Sequence, residues 1–136
     1  MKHLLTLLAL IVLVSGSVLA QDNQTLKERQ KDIKIQPVFT IDDAIFAYNT
    51  LNTVQISGNE VDAFVEIRKI FVDAIKSAQE AGKKGTDEIT IEMNLLAAQN
   101  FFNLLARAKI TGAQADQYKR VQDAITDAAK KLKEKK

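Results

Sequence analysis

The 136-residue chain has no cysteine, one histidine and one proline. Without cysteine it has neither a disulfide framework nor a thiolate metal site, so its stability must come from packing. The lone histidine, His3, sits in the first twenty residues, and the remainder has no imidazole. Structural zinc, copper and haem sites therefore lose their ordinary ligands. Ser–His–Asp and Cys–His catalysis are excluded with them. Also missing are an Asp-x-Asp-x-Asp-Gly calcium loop, a glycine-rich phosphate loop and a Glu-x-x-His di-iron motif. No catalytic residue, cofactor or metal is expected. A large charge excess is lacking too: 19 Lys and Arg stand against 17 Asp and Glu. Nucleic-acid-binding domains carry a clustered basic surplus, so nucleic acid is not an expected partner.

What is present begins with MKHLLTLLALIVLVSGSVLA, a basic start at Lys2, an apolar run from Leu4 to Val14 and a small-residue end. This is the pattern of a secretory signal peptide. Val18 and Ala20 occupy the cleavage positions, so cleavage is expected between Ala20 and Gln21, with the product periplasmic or secreted. The apolar run is shorter than the roughly 20 residues that span a bilayer.

Residues 21–39 form a polar arm, with a short helix expected over Thr25–Asp32. Residues before proline avoid the helical region, so Ile35–Phe39 around Pro37 is expected to be extended. Helical periodicity then governs residues 40–136. Four helices are expected, at about 40–54, 59–81, 86–110 and 113–133. Thr40 and Thr86 are the expected N-caps of the first and third, and Gly82 is the stop of the second. The apolar residues of the second helix cover more than half its circumference, which requires two or more packing neighbours.

Two stretches fifty-four positions apart, Tyr48–Phe64 and Phe102–Tyr118, share Asn49/Asn103, Leu51/Leu105, Ile56/Ile110, Gly58/Gly112 and Asp62/Asp116. Ser57 with Glu60, and Thr111 with Gln114, have capping-box spacing. Each stretch thus reads as the corner of a helical hairpin, with an Asn–Asp contact across it geometrically possible. The expected fold is all-α: an antiparallel four-helix bundle built from two related hairpins, about 40–81 and 86–134.

The expected function is macromolecular binding without enzymatic activity, as an adaptor, inhibitor or accessory factor, with another protein or a second copy as partner. Phe46, Ile91 and Phe102 are the apolar residues expected to remain at the surface for such contacts. The alternative is a carrier of a small apolar ligand or lipid in an interhelical cleft. Arg68, set within the apolar arc of the second helix, or Asn94, interrupting that of the third, would anchor its polar end. A charge in Arg68's place must otherwise pair with a carboxylate or reach water. A carboxylate-dependent hydrolase has no nucleophile motif to support it. The lysine-rich tail, Lys130–Lys136, complements the dipole of the last helix and offers weak contact with an anionic envelope surface.

Overall fold

A computed structural model describes residues 23–135. The chain is predominantly helical, with two very short sheets. A helix over residues 23–32 (α1) leads into strands β1 (Lys34–Ile35) and β2 (Val38–Thr40). Helix α2 (Ile41–Leu51) follows, then a 3-10 turn at Gly58–Glu60 and helix α3 (Val61–Glu80). The same plan recurs: β3 (Glu88–Thr90), β4 (Met93–Asn94), α4 (Leu95–Leu105), a 3-10 turn at Gly112–Gln114 and α5 (Ala115–Glu134). Among the described residues no helix is long and apolar enough to cross a membrane.

Helices α2 and α4 each have 11 residues, α3 and α5 each have 20, and every start lies fifty-four positions from its counterpart. Local chemistry repeats with the geometry. The Thr40 hydroxyl accepts from the Asp43 N–H at 3.1 Å, and the Asn94 side chain accepts from the Ala97 N–H at 2.7 Å. At the corners, Glu60 reaches back to the Ser57 N–H at 2.8 Å and Gln114 to the Thr111 N–H at 3.0 Å, completing capping boxes.

The strands tie the halves together by exchange. β1 pairs antiparallel with β4, through Lys34–Asn94 and Ile35–Met93. β2 pairs with β3, through Val38–Thr90, Phe39–Ile89 and Thr40–Glu88. Each sheet therefore holds one strand from each half, and moving any pair by fifty-four positions generates a pair of the other sheet or extends its register. The relation is an approximate internal two-fold.

Side chains from all four strands and from α2 to α5 meet in one core. Phe71 of α3 lies 5.6 Å from Phe39 and 4.9 Å from Phe101, centroid to centroid. Leu51, Leu105, Ile67 and Val121 are fully buried around them. The volumes are complementary: Phe71 and Phe101 occupy places whose counterparts are Ile125 and Ala47, so bulk on one side of the two-fold is matched by smaller residues on the other.

Several expectations are corrected. The segment from Glu88 to Asn94 is extended, and α4 begins only at Leu95. Glu-Ile-Thr-Ile-Glu-Met-Asn alternates polar and apolar residues, a period-two pattern with two β-branched isoleucines that suits a strand. Ile89, Ile91 and Met93 point inward on this alternation, and Ile91 is only 2% exposed. Ile91 is thus a core residue and presents no contact surface. Phe46 is half-buried against the core. Asn49, Asn103, Asp62 and Asp116 are all exposed, and no Asn–Asp bond crosses either hairpin corner among the described residues. The extended reading around Pro37 agrees with β1 and β2, with Ile35, Pro37 and Phe39 buried. The N-terminal residues 1–20 lie outside the described residues.

Candidate functional site

Phe102 is the expected contact residue that remains open, at 36% exposure on α4. It borders a groove of about 520 Å³ between α1, α4 and α5. Leu95 and Ala98 from α4, and Ile125 and Ala129 from α5, make its apolar floor; Gln30, Gln99, Asn103 and Thr126 supply its polar groups. None of these residues is charged. Ala98 and Ala129, one from each helix, are the smallest residues of the lining.

The lining follows from the helical register. Leu95, Ala98, Gln99 and Phe102 recur at three and four residues on one face of α4, and Ile125 and Ala129 stand four apart on α5. The groove therefore runs between α4 and α5, with Gln30 of α1 at its border. It is open along its length, and its wall offers an aromatic ring and amide groups. Such a surface suits apolar side chains with a neutral, hydrogen-bonding backbone or amide between them.

The other expected contact residues lie elsewhere. Arg68 is exposed on α3, its guanidinium carbon 5.7 Å from the centroid of the Phe64 ring. Instead of a carboxylate partner, it uses a ring face and solvent. Asn94 is the N-cap of α4, and its amide also donates to Glu66 Oε1 at 3.5 Å. Its place is at the start of the helix that carries the groove, immediately before Leu95.

The interhelical ion pair expected of Arg68 is made by Arg120. Its Nε donates to Asp43 Oδ2 at 3.0 Å and its Nη2 to Oδ1 at 2.9 Å, joining α5 to α2 in a two-pronged contact. Burial alone would push the Asp43 carboxyl up. Hydrogen bonds from Arg120, Gln117 and Thr40, with the Arg120 charge, outweigh it and hold the group below the usual carboxylate range. The partners are 77 residues apart, and the only sequence hint is an Asp in a first turn where the dipole already explains it. Tyr118, half-buried, donates its hydroxyl to the Leu105 carbonyl at 2.8 Å, and burial raises its pKa.

Two further hollows are charged. One, about 520 Å³, is bounded by the Lys34–Glu92 pair at 2.6 Å and by Lys131 and Lys135 of the tail. The hydrogen bond from Lys34 holds the Glu92 carboxyl low, helped by Gln36. The other, about 410 Å³, is lined by Thr53, Gln55, Arg107 and Lys109, two residues and their own counterparts in the repeat. Arg107 donates to both oxygens of Glu60 at 3.0 Å. Among the described residues no group of three or more His, Cys, Asp or Glu side chains could hold a metal ion. Comparison with protein-family models, with curated proteins and with solved structures finds no match to this chain.

Proposed function

We propose that this is an exported helical protein that acts by binding another macromolecule rather than by catalysis, with α2–α3 and α4–α5 serving as the two hairpins of an antiparallel four-helix bundle. The groove beside Phe102 is the binding surface in this reading. The observation that carries it is the uncharged character of that groove beside an exposed aromatic ring. A carrier of fatty acids or other charged-head lipids needs a cation or strong donor near the mouth. Arg68, the anchor that the carrier reading would use, belongs to α3 and borders no part of the groove. An open trough with amide edges accommodates the side chains of a partner segment better than an enclosed apolar molecule.

A photo-crosslinking residue at Gln99, introduced into the full chain in its native host, tests this. An adduct with a discrete protein, lost when Phe102→Ser is added, is the expected result. A covalent mass gain of a few hundred daltons that survives organic extraction would install the carrier reading instead. Complete absence of adducts would remove the groove from consideration. Fractionating the same cells tests export: the processed chain belongs outside the cytoplasm, with its N-terminus at Gln21.

A further inference from the structure

The strands of residues 34–40 leave one main-chain edge unpaired. Hydrogen bonds from the Leu95 N–H to the Ile33 carbonyl, from Ile91 to Pro37 and from Ile41 to Asp87 mark the odd-numbered residues as those bonded across to residues 88–94. In an antiparallel ladder the residues between them direct their N–H and C=O groups outward. Lys34, Gln36 and Val38 therefore present donors and acceptors along the edge, and among the described residues these main-chain groups have no partner. Pro37 does not interrupt the row, because its missing N–H would have faced Ile91. The opposite edge is partly covered: Lys83 Nζ donates to the Glu88 carbonyl at 3.0 Å.

A trench runs beside the free edge. α5 passes alongside in the opposite direction: its residues 120–127 share one hollow with Val38–Thr40, and residues 128–135 share the next, of about 520 Å³, with residues 34–38. The strand wall of that second hollow is about 13 Å long and its helix wall about 10 Å. Ala128 and Leu132 give the helix wall an apolar base, and Lys131 and Lys135 border the same hollow. The dipole of α5 favours cations near its end but does not direct two of them to this face. Among the described residues neither lysine makes an ion pair. Glu92, the carboxylate of the trench, is already held by Lys34 and Gln36. The repeat shows that the architecture does not require these lysines, since Lys34, Lys131 and Lys135 correspond to Glu88, Ser77 and Ala81.

We propose that this trench takes an extended acidic segment of a partner protein, which adds as a further strand along Lys34, Gln36 and Val38 and sets its carboxylates against Lys131 and Lys135. Two observations choose this occupant. A row of main-chain donors and acceptors is matched by another peptide backbone and not by a lipid headgroup. The unpaired ammonium groups then select the sign of the segment. Lysines four apart on a helix stand about 6 Å from each other, close to the roughly 7 Å between alternate residues of a strand, so carboxylates two positions apart meet both. A second copy of this chain fits poorly. Its like edge would bring lysines against lysines, and its opposite edge has the Glu88 carbonyl covered and Glu92 engaged. The trench uses other residues of α5 than the groove beside Phe102, so the inference goes beyond the binding reading above and does not depend on it.

Titration of the isotopically labelled full chain with a blocked Thr-Glu-Val-Glu-Val-Glu peptide, followed by NMR, tests the trench. The Gln36 and Val38 amide resonances should shift and gain protection from exchange, and binding should weaken as salt rises. Lys131→Ser with Lys135→Ala, which installs the residues of the first half, should weaken binding by about tenfold or more with unchanged helical circular dichroism. If the double variant misfolds, Lys135→Ala alone serves in its place. A fully N-methylated peptide keeps its charge but cannot donate to the edge, and it should bind at least about tenfold more weakly. Failure of the acidic peptide to bind, or equal binding of the N-methylated one, would overturn the proposal. Decanoate or phosphatidylglycerol vesicles that move the trench resonances when the peptide does not would assign the site to an anionic lipid instead.

Discussion

The Ile91 N–H donates to the Pro37 carbonyl at 3.0 Å, and these two residues are each other's counterparts in the repeat. The two-fold would generate a second bond from residue 37 to the Ile91 carbonyl, but proline has no N–H to give. The pseudo-axis therefore passes through a single, one-directional bond at the junction of the two sheets. Both residues are fully buried. The Ile91 amide should accordingly rank among the slowest-exchanging amides of the chain, close to the limit set by global unfolding. Hydrogen exchange followed by NMR checks this; exchange at the rate of the α5 terminus would contradict it.

Acid should weaken the fold through Asp43. Its folded pKa is lowered relative to the unfolded chain, so the ionised form is favoured by folding. The associated stability is fully present above the unfolded value of about 3.9 and is lost as pH falls below it toward the folded pKa. Asp43→Asn should remove this contribution, costing about 1 kcal/mol at neutral pH because Arg120 is half in water, and should flatten the acid limb. Urea titrations at pH 7 and pH 3 on both proteins measure the difference.

Tyr118→Phe deletes one hydroxyl and its bond to the Leu105 carbonyl, near the end of α4. A loss of about 1 kcal/mol is expected, with the ring packing retained. The first half shows why the fold should survive: the counterpart of Tyr118 is Phe64, which carries no hydroxyl and still packs against the core. Thermal denaturation of the variant gives the answer.

Gly82 terminates α3 with φ of 74°, and the Lys83 N–H closes back on the Ala78 carbonyl at 3.1 Å. This is a left-handed C-terminal cap that a side chain resists. Gly82→Ala should destabilise by about 1 kcal/mol, although nothing lies near enough to clash with an added methyl. Gly82→Asn should recover part of the loss, which separates backbone conformation from packing.

The helical corners were legible because their signals are local. Ser57–Glu60, Thr111–Gln114 and Gly82 each specify their own turn, and the structure places them as the sequence reading does. The start of the third helix was misread because Ile91 and Met93 run directly into the apolar residues of α4, although Ile89, Ile91 and Met93 themselves alternate strictly. Pairing with residues of the N-terminal arm decides between them, and pairing is a long-range event. Contact residues failed for a related reason. Ile91 and Phe102 look alike in composition, but strand alternation turns Ile91 inward, while α4 leaves Phe102 at the edge of a groove. The hollow itself is lined in part by Ala98 and Ala129, and a small side chain leaves little signature in a hydrophobic pattern. The excess apolar width of α3 was readable, and the helix packs on both α2 and α4.

The crossed strand pairing has a mechanical consequence. Because each short sheet takes one strand from residues 34–40 and the other from residues 88–94, neither half possesses a complete edge by itself. A cut in the exposed connection after Gly82 should leave two fragments that remain clasped and co-elute under native conditions. Once separated in denaturant, each should stay unfolded until mixed with the other. The protein is in this sense a preassembled fragment-complementation pair, and the linker between its halves serves to hold their concentration high.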